Sequence, residues 1–130
     1  MKATFNGTEK DFDIRPDIVG LFEATLPGGS AYAMLKKFTD GTWSAADVAH
    51  VLSFALHGPS KEARQVWDLV RAARRHGLPQ PPLSYAPHPD VVAAVSVEGA
   101  GNYAGLAADI LTAVLFRSTA PEEEVAIDAA

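Results

Sequence analysis

Few residues in this chain have types and spacings that could do chemistry, and each of them meets an ordinary explanation. There is no cysteine, which removes a disulfide framework, a thiol nucleophile, Cys-type zinc sites and iron–sulfur clusters together. His50 and His57 stand seven residues apart, with Asp47 one turn before His50. They share a helical face, but a metal pair on one helix wants i,i+3 or i,i+4 spacing. His57 borders a helix stop, where an imidazole suits the dipole. His76 and His88 flank a proline-rich loop and show no partner in the sequence. Gly99, Gly101 and Gly105 follow the apolar run 91–97 and open a helix, so the segment has the outline of the strand, glycine turn and helix of a dinucleotide site. The third glycine falls one residue late, and too little chain follows for the further strands such a fold needs. No nucleophile elbow, His-Glu-x-x-His pair, phosphate loop or EF-hand loop is present. The sequence assigns no catalytic residue, no cofactor site and no metal site.

Charge gives two further patterns. Arg64, Asp68, Arg71 and Arg75 form a narrow helical stripe, with Lys61 and Arg74 nearby. It reads either as a contact for an acidic partner or as a solvated face in which Asp68 pairs with its arginine neighbours. Glu9, Asp11, Asp13 and Asp17 alternate along an exposed strand face, a usual device for keeping a sheet edge soluble. The net charge of −5 argues against a general nucleic-acid binder, which needs a broad basic surface.

The elements that must position these residues follow from length and pattern. At 130 residues, 48% hydrophobic and 21% charged, the chain has the composition of one globular domain able to bury a core without staples. Residues 1–14 predict a β-hairpin turning at Asn6-Gly7. With Phe5 facing Thr8, residues Met1, Ala3, Phe5, Phe12 and Ile14 share the inner face. Pro16 opens a first helix carrying Ile18, Leu21, Phe22 and Leu26. Ser30 caps a second, with Tyr32, Leu35 and Phe38 or Met34 inward, closed by Asp40-Gly41. Ser44 and Asp47 form a capping box for a third, with Trp43 placed to staple onto Val48, and Val48, Val51, Leu52, Ala55 and Leu56 buried. A fourth helix spans 60–76 with Ala63, Val66, Trp67, Val70 and Ala73 as its apolar face. The last spans 103–116, where Leu106, Ala107, Ile110, Leu111, Val114 and Leu115 leave little polar surface. Such a helix is either central to the core or covered by a partner. The fold class is α+β: an N-terminal β-hairpin packed on a small, mainly α-helical bundle. One domain covers 1–117, with a Pro-rich loop at 77–90, and 118–130 is an acidic tail.

The order of these pieces resembles a known family. Phe12-Asp13-Ile14-Arg15-Pro16, Leu21-Phe22-Glu23, and Gly41-Thr42-Trp43-Ser44 leading into Asp47-Val48-Ala49 are similar to the small tail proteins of gene transfer agents and related phages, grouped with tail assembly chaperones. The likeness covers 2–57 in motif and 60–116 in layout; the long loop and the tail depart from the more compact relatives. The resemblance implies a non-enzymatic protein of the bacterial cytoplasm. Such a protein binds the tape-measure protein and helps tail-tube subunits polymerise around it, with self-association left open and no membrane or nucleic-acid partner. The opening residues alternate polar and apolar rather than forming a secretory h-region, in keeping with a cytoplasmic location. Candidate partner-binding residues are Arg64, Arg71 and Arg75 on the fourth helix and Leu106, Ile110, Leu111 and Val114 on the last. Two other classes fit the same features: a structural virion subunit of the tail tube or head–tail joint, and a small helical regulator or binding module.

Overall fold

The computed structural model describes residues 1–81 and 83–116. The sequence's acidic tail at 118–130 lies outside the described residues. Among those described are strands β1 (Lys2–Phe5) and β2 (Thr8–Asp11), then helices α1 (Val19–Thr25), α2 (Ala31–Asp40), α3 (Ala45–His57), α4 (Lys61–His76), α5 (Pro89–Glu98) and α6 (Ala104–Phe116). This is an α+β fold, with the hairpin packed on the helices. Short 3-10 turns at Pro16–Ile18 and Ala100–Asn102 lead into α1 and α6.

The hairpin forms where local chemistry and alternation agree. Asn6 (φ 53°) and Gly7 (φ 79°) both take the left-handed conformation that a two-residue type I′ turn demands. Phe5 pairs with Thr8 and Lys2 with Asp11, the expected register. Phe5, Phe12 and Ile14 are therefore buried on one face, although Met1 remains 43% exposed. Phe5 meets Phe12 edge-on at 5.8 Å and Tyr103 at 5.0 Å, while the Asp13 N–H donates to the Ala55 carbonyl at 3.1 Å. A hairpin alone is marginal in water; these contacts fasten it to α3 and to the start of α6.

The core sits around α3, which packs on both α5 and α6, while α6 also packs along α2. Ser44 accepts from the Asp47 N–H at 3.2 Å and Asp47 accepts from the Ser44 N–H at 3.0 Å, completing the capping box. Trp43 stacks on Phe38 at 5.9 Å, so the residue before the cap is held by α2. Val48, Val51, Leu52 and Phe54 are fully buried, as are Phe22 from α1 and Leu111 from α6. One expectation is corrected: Tyr32 is 65% exposed. Met34 is inward, one of the expected alternatives, and is joined by Ala31, with Leu35 and Phe38 packed against the core. The run 91–97, strand-like when taken alone, lies in α5, where Val91, Ala94 and Val95 recur at helical spacing on the buried side. That leaves the glycine segment between two helices and ends the dinucleotide comparison.

Candidate functional site

Three regions carry the residues of interest. The first is the α4 stripe. Ser60 caps α4 by accepting from the Ala63 N–H at 3.1 Å, and Arg74, Arg75 and His76 occupy its last turn, where positive charge suits the dipole. Arg64, Arg71 and Arg75 are all exposed. Arg71 pairs with Asp68 at 3.6 Å, an exposed i,i+3 contact worth only a few tenths of a kcal/mol, about 0.3. Arg64 and Arg71 line one shallow depression with Asp17, Trp67 and Asp68, and Arg75 does not join it. Arg74 lies over the Trp67 ring at 5.1 Å and donates to Gln80 at 3.3 Å, tying α4 to the proline-rich loop.

The second region is α6. Ile110 (2% exposed) and Leu111 (0%) belong to the core, while Leu106 and Val114 are half-buried against it. In this conformation the four residues do not form one open apolar face. Leu111 has no surface to offer a partner, and α6 serves as a core helix. What α6 does present is one wall of a groove of about 360 Å³. Met1, Phe12 and Ile14 form the facing side, and Ile110, Ala113 and Phe116 the near side. The groove is lined mainly by carbon, which suits apolar side chains of a partner helix.

The third region was not assembled from the sequence. His57 ends α3, His88 is the N-cap of α5, and Asp90 lies in the first turn of α5. The structure brings all three together. His57 Nε2–H donates to Asp90 Oδ1 at 3.1 Å, His88 Nδ1–H donates to the same oxygen at 2.5 Å, and the two imidazoles stack at 4.1 Å. Burial pushes the Asp90 carboxyl up. The hydrogen bond from His88 and the interaction with His57 outweigh it, so the group sits below the ordinary carboxylate range. Underneath, the buried Ser53 hydroxyl accepts from the His88 backbone N–H at 2.8 Å. Ser53 also bonds Tyr85 Oη at 2.7 Å, and Tyr85 reaches the Gly58 carbonyl at 3.5 Å. Burial raises the Tyr85 phenol, partly offset by its bond to Ser53, so it stays protonated as a donor.

His50 leaves His57 and turns inward. It contacts the rings of Phe22 at 6.2 Å and Tyr85 at 5.0 Å and bonds Thr25 Oγ1 at 2.9 Å. Thr25 already donates its only proton to the Phe22 carbonyl at 2.6 Å, so His50 Nε2–H is the donor. Burial lowers the His50 imidazole, against a smaller upward pull from Asp47. His88, seen in the sequence as lacking a partner, is thus corrected to the centre of a cluster. The signal was present in a form only the helix assignment exposes. Once 89–98 is a helix with Pro89 at its first position, His88 becomes a cap and Asp90 a first-turn acid.

No helix among the described residues is long and apolar enough to cross a membrane. No family model matches the chain, and neither a curated protein nor a solved structure is significantly similar to it.

Proposed function

We propose that this chain is a tail assembly chaperone of the kind used by gene transfer agents and related phages. It would bind the tape-measure protein in the bacterial cytoplasm while tail-tube subunits assemble, without performing catalysis. The observation that carries the reading is where the family-like residues fall. Phe12 and Ile14 are core residues, Pro16 opens the turn into α1, and Ser44 and Asp47 form the capping box of α3. The residues that carry the resemblance are therefore ones that build the scaffold, which suits a likeness in fold rather than in a reactive site. A long amphipathic helix such as the tape measure would offer apolar side chains at i, i+3, i+4 and i+7. The groove between the hairpin and α6 takes apolar anchors of that kind. The exposed Arg64 and Arg71 add a basic rim at a separate place.

The test is co-expression of the chain with its tape-measure protein, followed by size-exclusion chromatography with light scattering. The expected result is a soluble complex, with the tape-measure protein insoluble when made alone. Thr112→Arg at the groove combined with Arg71→Glu on α4 should keep the fold, since both positions are exposed, and reduce co-elution at least tenfold. A tape-measure protein that precipitates while this chain elutes alone would refute the proposal. Recovery of the chain in purified particles would then favour a structural virion subunit.

A further inference from the structure

We infer that His57, His88 and Asp90 form a binding site for a divalent transition-metal ion, of which Zn²⁺ is the best match. Two imidazoles and one carboxylate make a nitrogen-rich donor set that favours Zn²⁺, Ni²⁺ or Cu²⁺ over Mg²⁺ or Ca²⁺. The three ligand atoms lie within 4.8 Å of one another. Two ligands of a tetrahedral zinc ion stand about 3.4 Å apart, given metal–nitrogen bonds of about 2.1 Å. The observed separations of 3.1 and 2.5 Å between the imidazole nitrogens and Asp90 Oδ1 both fall short of this. Side-chain rotations of under about 1 Å would open the cluster to that size.

The hydrogen bonds themselves suggest the exchange. His88 Nδ1 faces both the Asp90 carboxylate at 2.5 Å and the Asp90 backbone N–H at 3.3 Å, and one ring nitrogen cannot donate and accept at once. A proton holds the shorter contact. On metal binding each imidazole carries its proton on the other ring nitrogen, and the vacated lone pairs of His57 Nε2 and His88 Nδ1 coordinate the ion with Asp90 Oδ1. Histidine supplies such a ligand as the neutral ring.

Two more features make this a prepared site rather than three neighbouring surface groups. The ligands come from the facing ends of two packed helices, and the Ser53–Tyr85–Gly58 chain of hydrogen bonds fixes the backbone behind both histidines. On the open side a hollow of about 340 Å³, lined by His57, Ser60, Tyr85 and His88, leaves room for water to complete the coordination. With three protein ligands that are 33, 51 and 54% exposed, affinity falls short of a closed four-ligand site. The ion would clasp α3 to α5 across the long proline-rich loop. This inference stands independently of the proposed chaperone role.

The experiment uses the full, untagged chain after treatment with chelator. Zn²⁺ is titrated by calorimetry, and imidazole resonances are followed by NMR. One equivalent should bind, shifting the signals of His57 and His88 but not those of His50 or His76, and raising Tm. His57→Ala and Asp90→Asn should each weaken binding at least tenfold, with His76→Ala as the unaffected control. Absence of binding by Zn²⁺, Ni²⁺ and Cu²⁺ in the folded protein overturns the inference. So does undiminished binding in folded His57→Ala, or NMR shifts centred on other histidines.

Discussion

Helices α3 and α4 follow each other in the chain, separated by Gly58, Pro59 and Ser60, and both are capped by serine, yet they are held by different physics. In α3 eight of thirteen residues are buried, including Phe54, Leu52 and the capping carboxylate Asp47. In α4 only Ala63, Val70 and Ala73 of sixteen residues are buried, and none of these belongs to the main core. Trp67 is the α4 side chain that packs against that core. A helix of the first kind draws its stability from apolar burial. The second relies on its cap, its dipole-matched arginines and a single aromatic anchor. The contrast separates where the fold is decided from where a partner can be met without disturbing it.

The strongest way to break this comparison is to truncate a leucine in each helix. Leu52→Ala removes a fully buried side chain and should cost about 3 kcal/mol, the usual range for such cavities being about 2–5. Leu69→Ala, at a side chain 61% exposed, should change stability by no more than about 0.5 kcal/mol. Urea denaturation of both variants measures the difference. Equal losses would mean that α4 is as firmly packed as α3.

The caps sharpen the contrast. Ser60 works alone, whereas Ser44 has a reciprocal partner in Asp47, which also pairs with Lys37 at 2.9 Å. Burial raises the Asp47 carboxyl. The Lys37 contact and the Ser44 hydrogen bonds outweigh it and hold the group below its ordinary 3.8. Because the folded value is the lower one, the Asp47 contribution is complete above about pH 3.8 and disappears as pH falls through the folded value. Asp47→Ala should cost about 1–2 kcal/mol at pH 7, more than Ser60→Ala at about 1. The gap between wild type and Asp47→Ala should narrow below pH 3.8 in acid denaturation profiles.

His50 adds a second pH dependence to α3. Its imidazole is lowered by burial, so between the ordinary value of 6.5 and its folded value the unfolded chain binds a proton that the folded chain refuses. Stability should therefore decline as pH falls below about 6.5, by at most about 1.4 kcal/mol per pH unit for one proton, and level off below the folded value. His50→Gln should lose this component while retaining the later loss at Asp47. A denaturation series from pH 7.5 to 5 on the two proteins decides it.

The same contrast explains what was legible in the sequence. The hairpin, the capping box and the α3 stripe were readable because each rests on local chemistry that points one way: Asn6-Gly7 with alternation, Ser44 with Asp47, apolar residues at helical spacing. Tyr32 was misplaced because α2 has apolar residues around much of its circumference, and which side faces inward depends on α6 packing along it. The run 91–97 is short and β-branched, so its periodicity alone does not separate a strand from a buried helix. The His57–His88–Asp90 cluster escaped for a further reason. His88 and Asp90 are neighbours, but His57 lies 31 and 33 residues before them, and only the packing of α5 on α3 brings it within bonding distance.

The smallest expected effect tests the contact between α1 and α4 directly. Gly20 lies in α1, and a Cβ placed there would stand 3.1 Å from Trp67 Cζ2, closer than ordinary van der Waals contact. Replacing glycine by alanine inside a helix gains up to about 1 kcal/mol from the backbone. Against this, the indole must withdraw by a few tenths of an ångström. If α4 is the lightly held element described above, Trp67 and its helix shift and the two terms nearly cancel, leaving Gly20→Ala within about 0.5 kcal/mol of wild type. If α4 is fixed, the clash dominates, and overpacking costs of about 1–3 kcal/mol apply. In a Trp43→Phe background, Trp67 fluorescence distinguishes the cases independently of stability: a displaced indole changes its emission maximum, whereas a fixed one does not. A destabilised variant with unchanged emission would show that α4 belongs to the rigid part of the fold, and the arginine stripe would then sit on a surface that cannot adapt to a partner.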